Sequence, residues 1–281
     1  MKKYFAILMA ALLALPVFAQ KTPEKEPEKL VVMSYNIRVV TAKDTADTHW
    51  NVRKVATPAM LDDINPAVFG LQEATQKQIT YITANCPRYV TFGVGREDGA
   101  SKGEHMSIVY NHEVLEMLNG GTYWLSDTPD EPSFGWDAAC KRTATWALFR
   151  VKKSGRHFYY VNTHLDHKGA EARRNGLALI VERIAKMNTK GFPMVLTGDF
   201  NVTPDDPCLT DLDTKMLSAR ATATSSDSTH SYNGYAEPKS DIDYIYYSGF
   251  SACPEFKVVT KSYAGIPYIS DHYPVTATLV F

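Results

Sequence analysis

Polar side chains that could do chemistry stand directly after several apolar runs of this chain. Asn36 follows the first run, Glu73 ends another, and His164 ends a third. A strand that ends on a polar group presents it at one rim of its sheet, where a rigid scaffold can hold catalytic side chains. These residue types at these positions therefore predict a catalytic rim.

The second half of the chain repeats this arrangement. Asp199 and Asn201 are two positions apart, so their side chains share one face if the strand continues. Asp243 lies within an apolar segment, and the adjacent Asp271 and His272 precede the last apolar run. Any one such residue is more often a turn former or a structural side chain. Their recurrence at six sites favours the catalytic interpretation.

The elements that must position these residues are mostly strands. Continuous apolar runs, typical of strands buried on both faces, predict strands at residues 30–37, 67–71, 108–110, 144–151, 158–163, 193–197, 242–247, 256–260 and 274–281. Apolar residues at helical spacing predict helices near residues 52–60 and 177–184. The mixture predicts an α/β fold of two packed sheets covered by helices.

The N-terminal residues have the composition of a secretory signal. Lys2 and Lys3 precede an apolar stretch over residues 5–18, and Ala19 offers a small-residue cleavage site. The stretch is too short to span a bilayer comfortably. We therefore expect a signal peptide at residues 1–19, a solvated leader at residues 20–29 and one domain at residues 30–281. The mature protein would be exported, to the periplasm or the extracellular space.

Overall composition limits the binding partners. The formal net charge of −1 lacks the basic excess typical of proteins that grip long nucleic acids by their backbone. Export permits disulfides among Cys86, Cys140, Cys208 and Cys253, with the pairing left open. The cysteines have no C-x-x-C spacing, which argues against a zinc site, and no obligate protein partner is evident.

Six short segments, taken in order, resemble the motif set of the endonuclease/exonuclease/phosphatase superfamily. They are SYN at 34–36, LQE at 71–73, NTHL at 162–165, GDFN at 198–201, IDYI at 242–245 and SDHYPV at 270–275. GDFN and SDHYPV together are specific, whereas LQE alone is weak. The resemblance covers residues 31–281 and implies a secreted bacterial member with the DNase I-like fold. That fold is a four-layered α-β-β-α sandwich of two mainly antiparallel sheets flanked by helices.

The resemblance also implies supporting partners for the two histidines. Glu104 precedes the strand that ends in Tyr110, as does the family glutamate that orients the first catalytic histidine. This match implies that Glu104 supports His164, as Asp243 would support His272. A carboxylate partner fixes the tautomer of an imidazole.

The predicted metal ligands are the oxygen donors Asn36, Glu73 and Asp271. Hard oxygen ligands suit Mg²⁺, with Mn²⁺ next and Ca²⁺ as a further alternative. A cation here would bind a phosphate oxygen and neutralise charge that develops in the transition state.

The remaining rim residues have catalytic roles in this interpretation. Asp199 is the first choice to orient or deprotonate the attacking water. Asn201 would donate an amide hydrogen bond to a phosphoryl oxygen, and His164 and His272 would stabilise the phosphate or pass protons. The identity of the general base stays open.

Arg142 and two tryptophans are candidate substrate-binding residues. The guanidinium of Arg142, just before a predicted strand, matches a phosphate, the alternative being a surface arginine. Trp124 and Trp136 lie in one loop. They would either stack on a base or a sugar or pin the loop to the core.

The predicted function is metal-dependent hydrolysis of a phosphodiester, by an exonuclease-like nuclease on single-stranded nucleic acid. The fold does not choose the substrate, so a phosphomonoesterase or phosphodiesterase on a small phosphorylated metabolite is the alternative. Residues 261–270 are too short for the membrane-touching hairpin of sphingomyelinase-like members. A non-catalytic binding module of the same fold is a third interpretation. The presence of Glu73, His164, Asp199 and His272 argues against it.

Overall fold

The computed structural model describes residues 27–45 and 47–281. The predicted signal peptide and residues 20–26 of the predicted leader lie outside this part of the chain. The strands in chain order are β1 (Lys29–Asn36), β2 (Val68–Gln72), β3 (Tyr89–Phe92), β4 (Ile108–Asn111), β5 (Leu115–Trp124), β6 (Thr143–Val151), β7 (His157–His164), β8 (Met194–Asp199), β9 (Leu217–Ser218), β10 (Ser225–Ser226), β11 (Asp243–Ser248), β12 (Ala252–Val258) and β13 (Val275–Val280).

The helices lie outside the sheets. They are α1 (Trp50–Arg53), α2 (Ala56–Ile64), α3 (Gln76–Asn85), α4 (Ala170–Met187), α5 (Thr210–Asp213) and α6 (Ala219–Thr222), with a 3₁₀ turn at Pro207–Leu209. Thr75 and Gln78 cap the start of α3 reciprocally. Within the described ranges, no helix has the length and apolarity that a membrane span requires.

The strands form two sheets. One has seven strands in the order β10-β12-β13-β1-β2-β4-β3, and the other has six in the order β5-β6-β7-β8-β11-β9. Parallel pairing occurs between β1 and β2, β7 and β8, and β10 and β12, and the other pairs are antiparallel. This arrangement confirms the predicted sandwich of two mainly antiparallel sheets.

Three apolar layers hold the sandwich together. Val32, Phe149 and Phe158 belong to the layer between the sheets. A second layer packs Met60 and other side chains of α2 and α3 on the outer face of the seven-stranded sheet. The third packs Leu177 and other side chains of α4 and α5 on the outer face of the six-stranded sheet. Burial of apolar surface on both faces of each sheet explains the continuous apolar runs of the central strands.

Most predicted elements are present, with shifts of a residue or two at their ends. β1 begins at Lys29, which the sequence assigned to the leader. The sequence did not predict β3, β5, α3 or the short elements β9, β10, α5 and α6. All four cysteines are free thiols in this structure, so none of the disulfides that export would permit is formed.

Candidate active site

The strand ends bring the predicted residues to one rim. Strands β7 and β8 run parallel in a register that sets His164 opposite Asp199. Strand β11 runs antiparallel to β8 and sets Asp243 opposite Asp199 from the other side. Asn36 ends β1 in the other sheet, and its side-chain amide donates to Oδ2 of Asp199 over 2.9 Å. The rims of the two sheets therefore meet at a single site.

Asp199 lies at the centre of this site and is 2 % exposed. Its Oδ2 is 3.6 Å from Nε2 of His164 and 3.7 Å from Nε2 of His272. Its Oδ1 accepts the backbone N–H of Asn201 over 2.9 Å. Burial raises the pKa of the Asp199 carboxyl above its ordinary value, although the charge of His272 opposes the rise. A raised pKa makes this carboxylate a better proton acceptor.

His272 is held by Asp243, as the sequence predicted. Nδ1 of His272 lies 2.8 Å from Oδ2 of Asp243, and the hydroxyl of Ser231 donates to the same oxygen over 2.7 Å. Burial by itself would lower the pKa of His272, but the carboxylates of Asp243 and Asp199 outweigh it and raise that pKa. The imidazole is therefore protonated at neutral pH, and its Nε2–H is a donor toward the centre of the site.

His164 has the opposite protonation state. Burial, reinforced by the positive charge of Arg142, lowers the pKa of His164 well below its ordinary value. The neutral ring accepts at Nε2 from the amide of Asn201, 2.9 Å away. The same amide nitrogen donates to the carbonyl of Leu165 over 3.0 Å. Both amide hydrogens of Asn201 are thus engaged, so Asn201 orients His164 instead of reaching toward a phosphoryl oxygen as predicted.

Glu104 lies beside the site without the predicted contact. Its carboxylate forms a two-point ion pair with Arg96, at 2.8 and 3.0 Å. Within the described part of the chain, Nδ1 of His164 has no hydrogen-bond partner. The expected Glu104–His164 hydrogen bond is not formed, because the guanidinium of Arg96 takes both carboxylate oxygens.

Glu73 faces Asn36 across β1 and β2. Its Oε1 accepts the Asn36 amide over 3.2 Å, and its Oε2 accepts the backbone N–H of Val39 over 2.8 Å. Glu73 and Arg38 both have φ of 60°, and Asn201 has φ of 54°. Such left-handed backbone costs about 1–3 kcal/mol at non-glycine residues and is concentrated at functional sites. The surrounding hydrogen bonds hold these three residues in that conformation.

Asp271 completes the acidic side of the rim. Its Oδ2 is 3.2 Å from Nη1 of Arg38, and its Oδ1 accepts from the hydroxyl of Ser270 over 3.2 Å. Arg38 also pairs with Asp44 at 3.1 Å. Buried Arg53 donates to the carbonyl of Arg38 over 2.8 Å, which fixes the backbone that carries this pair.

Arg142 is almost fully buried and is aimed by two neighbours. Its Nε donates to Oδ2 of Asp166 over 3.2 Å, and its Nη2 lies 3.0 Å from Nδ1 of His167. Nη1 has no hydrogen-bond partner among the described residues. Arg142 directly precedes β6, and Ala144 of that strand pairs with Thr163, the residue before His164, so Arg142 lies at the same rim as His164.

The two tryptophans differ in their surroundings. Trp124 is 5 % exposed, and its Nε1 donates to the carbonyl of Arg96 over 2.7 Å. This placement favours the interpretation that Trp124 pins its loop to the core. Trp136 is only half-buried and has φ of 44°. Phe134 in the same loop is 60 % exposed, with Nζ of Lys141 5.8 Å from its ring centroid.

Most of the chain matches the profile of a known protein family. The profile of the endonuclease/exonuclease/phosphatase family matches residues 33–272, which is most of the chain. The chain belongs to the endonuclease/exonuclease/phosphatase family. Members of this family generally use divalent metal ions, and related structures include phosphoesterases.

This chain is similar to two proteins of Bacteroides thetaiotaomicron whose structures have been solved. A family protein of that organism has a TM-score of 0.86 and 32 % identity, covering 91 % of this chain and 99 % of the other. A mannosyl-6-phosphatase of the same organism has a TM-score of 0.86 and 32 % identity, covering 90 % and 100 %. An uncharacterised mimivirus protein, from Acanthamoeba polyphaga mimivirus, is 29 % identical over 169 residues, which are 58 % of this chain and 62 % of that protein. The chain therefore spans less than two thirds of the mimivirus protein.

The acidic side of the rim fits the divalent cation that this family generally uses. Asn36, Glu73 and Asp271 offer oxygen ligands only, which hard cations prefer. Burial raises the pKa of the Asp271 carboxyl, and the nearby negative charge of Glu73 adds to the rise. Two carboxylates that repel each other in a buried rim are stabilised by a cation between them.

Among the described residues, two other groups of side chains have the spacing of metal ligands but are already engaged in hydrogen bonds. One group is Asp199, Asp243 and His272, whose ligand atoms lie within 4.8 Å of one another. In this group, Nδ1 of His272 is already hydrogen-bonded to Asp243. Cys140, Asp166 and His167 form the other group. Its Asp166 carboxylate accepts four hydrogen bonds, two at each oxygen. The oxygen donors near Glu73 are therefore the better cation site.

Three residues of the site were missed by the sequence analysis. Arg38 pairs with Asp271, Ser231 donates to Asp243, and Tyr235 lies in the turn that contacts Asp271. Arg38 stands two positions after Asn36, and this proximity in sequence is the one indication that it belongs to the site. Ser231 and Tyr235 are in a polar segment with no periodicity, where the sequence carries no sign of their placement.

Proposed function

We propose that this family member hydrolyses phosphate monoesters of small sugars and needs a divalent cation to do so. The observation that carries the proposal is the position of Asp199. Its Oδ2 lies within 3.7 Å of Nε2 of both His164 and His272 and accepts a hydrogen bond from Asn36. A buried carboxylate between a neutral and a protonated imidazole can accept a proton from a water molecule and release it later.

In the proposed reaction, Asp199 takes a proton from a water molecule. The water oxygen forms a bond to phosphorus while the ester P–O bond breaks, and the released alkoxide takes a proton from solvent. Asp199 then returns its proton to solvent, so an ester and a water become an alcohol and inorganic phosphate. The raised pKa of Asp199 suits it to the first step.

The other residues would stabilise charge on the phosphoryl group. Nε2–H of protonated His272 and the free Nη1 of Arg142 would donate to its nonbridging oxygens. Asn36, Glu73 and Asp271 would hold Mg²⁺, or Mn²⁺ or Ca²⁺ in its place. The bound cation would supply positive charge to the phosphoryl oxygens.

A sugar phosphate is favoured over nucleic acid for two reasons. The mannosyl-6-phosphatase of Bacteroides thetaiotaomicron is 32 % identical and covers 90 % of the chain. The net charge of −1 does not provide the basic excess of a protein that binds long nucleic acid. Single-stranded nucleic acid is the second candidate. It is favoured by the exposed ring of Phe134 beside Lys141, a combination on which a base could stack.

A parallel assay separates these candidates. Purified protein is given mannose 6-phosphate, p-nitrophenyl phosphate, bis(p-nitrophenyl) phosphate and a single-stranded DNA oligonucleotide, each with Mg²⁺ and with EDTA. We expect cation-dependent phosphate release from the two monoesters. Cleavage confined to the diester and the oligonucleotide would support the second candidate. No hydrolysis of any ester with any divalent cation would favour a non-catalytic binding module.

We further propose that residues 1–19 direct export and that the mature protein acts in the periplasm or outside the cell. The basic start, the apolar stretch and the small residue at Ala19 support this. Expression of the full chain in a bacterial host followed by mass spectrometry of the exported fraction tests it. A mature N-terminus at Gln20 is the expected result, and full-length protein retained in the cytoplasm would contradict it.

A further inference from the structure

The segment from Ser231 to Ser240 wraps around the Asp271 side of the site. The backbone N–H groups of Asn233 and Gly234 both donate to the carbonyl of Asp271 over 2.9 Å. The side-chain amide of Asn233 donates to the carbonyl of Ser270 over 3.3 Å. This segment is therefore fixed to the backbone of the acidic rim and forms a wall of the site.

Tyr235 stands at the tip of this wall in a strained conformation. Its φ is 61°, in the left-handed region, and its backbone N–H donates to Oδ1 of Asn233 over 2.7 Å. A tyrosine adopts such a backbone only where its surroundings hold it there, and such strain is typical of functional sites. The turn thus fixes the direction of the Tyr235 side chain.

The hydroxyl of Tyr235 is buried but has no hydrogen-bond partner in the described residues. The same is true of Oδ2 of Asp44, whose side chain is 4 % exposed and whose Oδ1 pairs with Arg38. Buried polar atoms are nearly always paired, and each exception in a native structure calls for a partner. One of these atoms can donate and the other can only accept.

The two atoms share one neighbourhood. Arg38 pairs with Asp44 at 3.1 Å and with Asp271 at 3.2 Å, and the turn that carries Tyr235 donates two backbone hydrogen bonds to the carbonyl of Asp271. Tyr235 and Asp44 therefore both lie on the Asp271 side of the rim. Arg38 and Arg53 offset the charges of Asp44 and Asp271 there, and Glu73 adds a further negative charge, so this side suits a neutral hydroxylated group better than a second phosphate.

We propose that the Tyr235 hydroxyl and Asp44 Oδ2 form a subsite that binds hydroxyl groups on the alcohol part of the substrate. The phenol donates to one hydroxyl oxygen, and the carboxylate accepts from another hydroxyl. This inference rests on the proposed function, since it concerns the sugar of the sugar phosphate. A site built to hydrogen-bond a substrate hydroxyl discriminates strongly against analogues that lack it, because its own polar groups are then left unpaired.

The test compares Tyr235→Phe and Asp44→Asn with the parent on two monoesters. Mannose 6-phosphate carries ring hydroxyls, whereas p-nitrophenyl phosphate carries none on its leaving group. We expect kcat/KM for the sugar phosphate to fall about 10-fold or more in each variant, the loss typical of an unpaired polar group. The aryl phosphate should be hydrolysed at the parent rate. Tyr110→Phe is the matched control, because its ring packs on Phe149 in the layer between the sheets.

Two further readouts separate this role from a structural one. The melting temperature of Tyr235→Phe should not fall, because the hydroxyl has no hydrogen bond to the part of the chain that the structure describes. The dissociation constant of Mg²⁺, measured by calorimetry, should stay at the parent value. Equal losses on both esters, or weakened Mg²⁺ binding, would assign the hydroxyl to the cation site and overturn the proposal.

The subsite and the proposed function can fail separately. A parent that hydrolyses both esters beside variants that keep parent rates on the sugar phosphate would overturn the subsite alone. Binding of free mannose, followed by saturation-transfer NMR, gives a measurement without catalysis. A parent that neither hydrolyses the sugar phosphate nor binds mannose would overturn both.

Discussion

Nδ1 of His272 lies 2.8 Å from Oδ2 of Asp243, and both side chains are buried. The carboxylate fixes which ring nitrogen faces the centre of the site and stabilises the protonated ring. Nε2 of the same ring is 3.7 Å from Asp199. The charge on His272 therefore depends on a residue that the substrate need not touch.

Asp243→Asn should lower kcat by about 10²- to 10⁴-fold, the usual range for losing one acid–base group. The amide cannot stabilise an imidazolium, so His272 would lose its proton near neutral pH. Steady-state kinetics on the accepted ester at saturating Mg²⁺ measures the effect. Asp241→Asn is the control. Asp241 lies two residues before Asp243, but its carboxylate pairs with Arg220 and His230. Parent-like kcat in Asp243→Asn would remove the pair from the mechanism.

Glu73→Gln should weaken Mg²⁺ and Mn²⁺ binding by about 10- to 100-fold, the scale seen when a metal site loses a supporting group. The glutamine keeps an oxygen that can accept the N–H of Val39, so the charge and the acceptor for the Asn36 amide are lost. Isothermal titration calorimetry gives the dissociation constants. Glu97→Gln, at a carboxylate whose side chain is 43 % exposed, is the control.

Stability provides a second check on the Glu73 variant. Without a cation, Glu73 and Asp271 repel each other, and Glu73→Gln removes this repulsion together with the acceptor for the Asn36 amide, so the variant should melt close to the parent in EDTA. Added Mg²⁺ should raise the melting temperature of the parent more than that of the variant, since a ligand stabilises the state that binds it. Equal shifts in the two proteins would count against Glu73 as a ligand.

The central strands could be predicted because burial on both faces leaves a continuous apolar run. β5 was missed because it lies at a sheet edge, is half-exposed along much of its length and contains Gly120 and Gly121. α3 was missed because only Ile79 and Ile82 of its apolar residues are buried. Edge and surface elements are specified by their neighbours more than by their own pattern.

The site could be predicted where a polar residue is the last or first residue of a buried strand, as Asn36 and Asp199 are the last and Asp243 is the first. Positions that depend on a long-range partner could not be predicted. Glu104 turns to Arg96 through an ion pair that no motif encodes. Tyr235 reaches the rim because its turn is hydrogen-bonded to Asp271, 36 residues later in the printed sequence.

Arg142→Lys should raise KM, and the inhibition constant of inorganic phosphate, by about 10- to 100-fold, the value of one charge-assisted hydrogen bond. A lysine keeps the charge, but its single nitrogen cannot contact Asp166 and His167 and also place a donor at the position of Nη1. Initial rates with added phosphate measure both constants. Arg150→Lys, which pairs with Glu116 on the surface, is the control. A parent-like inhibition constant would show that Nη1 of Arg142 does not meet the phosphoryl group.

Asp166 makes the stability of the fold depend on acid pH. Its Oδ1 accepts the backbone N–H groups of Lys168 and Gly169 over 2.9 Å each, and its Oδ2 accepts the backbone N–H of Cys140 and the side-chain Nε–H of Arg142 over 3.2 Å each. Burial alone would raise the pKa of Asp166. The backbone hydrogen bonds and the Arg142 guanidinium outweigh it and hold that pKa well below its usual range.

A folded pKa below the unfolded value stabilises the protein fully above the unfolded pKa, about 3.9. That contribution is lost as the pH falls toward the folded pKa. In Asp166→Asn, the new amide N–H₂ would face the donors Cys140 N and Arg142 Nε, so unfolding free energy should drop by about 2–4 kcal/mol at neutral pH. The gap between parent and variant should stay constant from about pH 8 to pH 6 and narrow below about pH 4. Urea unfolding across this range, with exposed Asp127→Asn as the control, measures the gap. A gap that stayed constant or widened in acid would show that the Asp166 charge does not stabilise the fold.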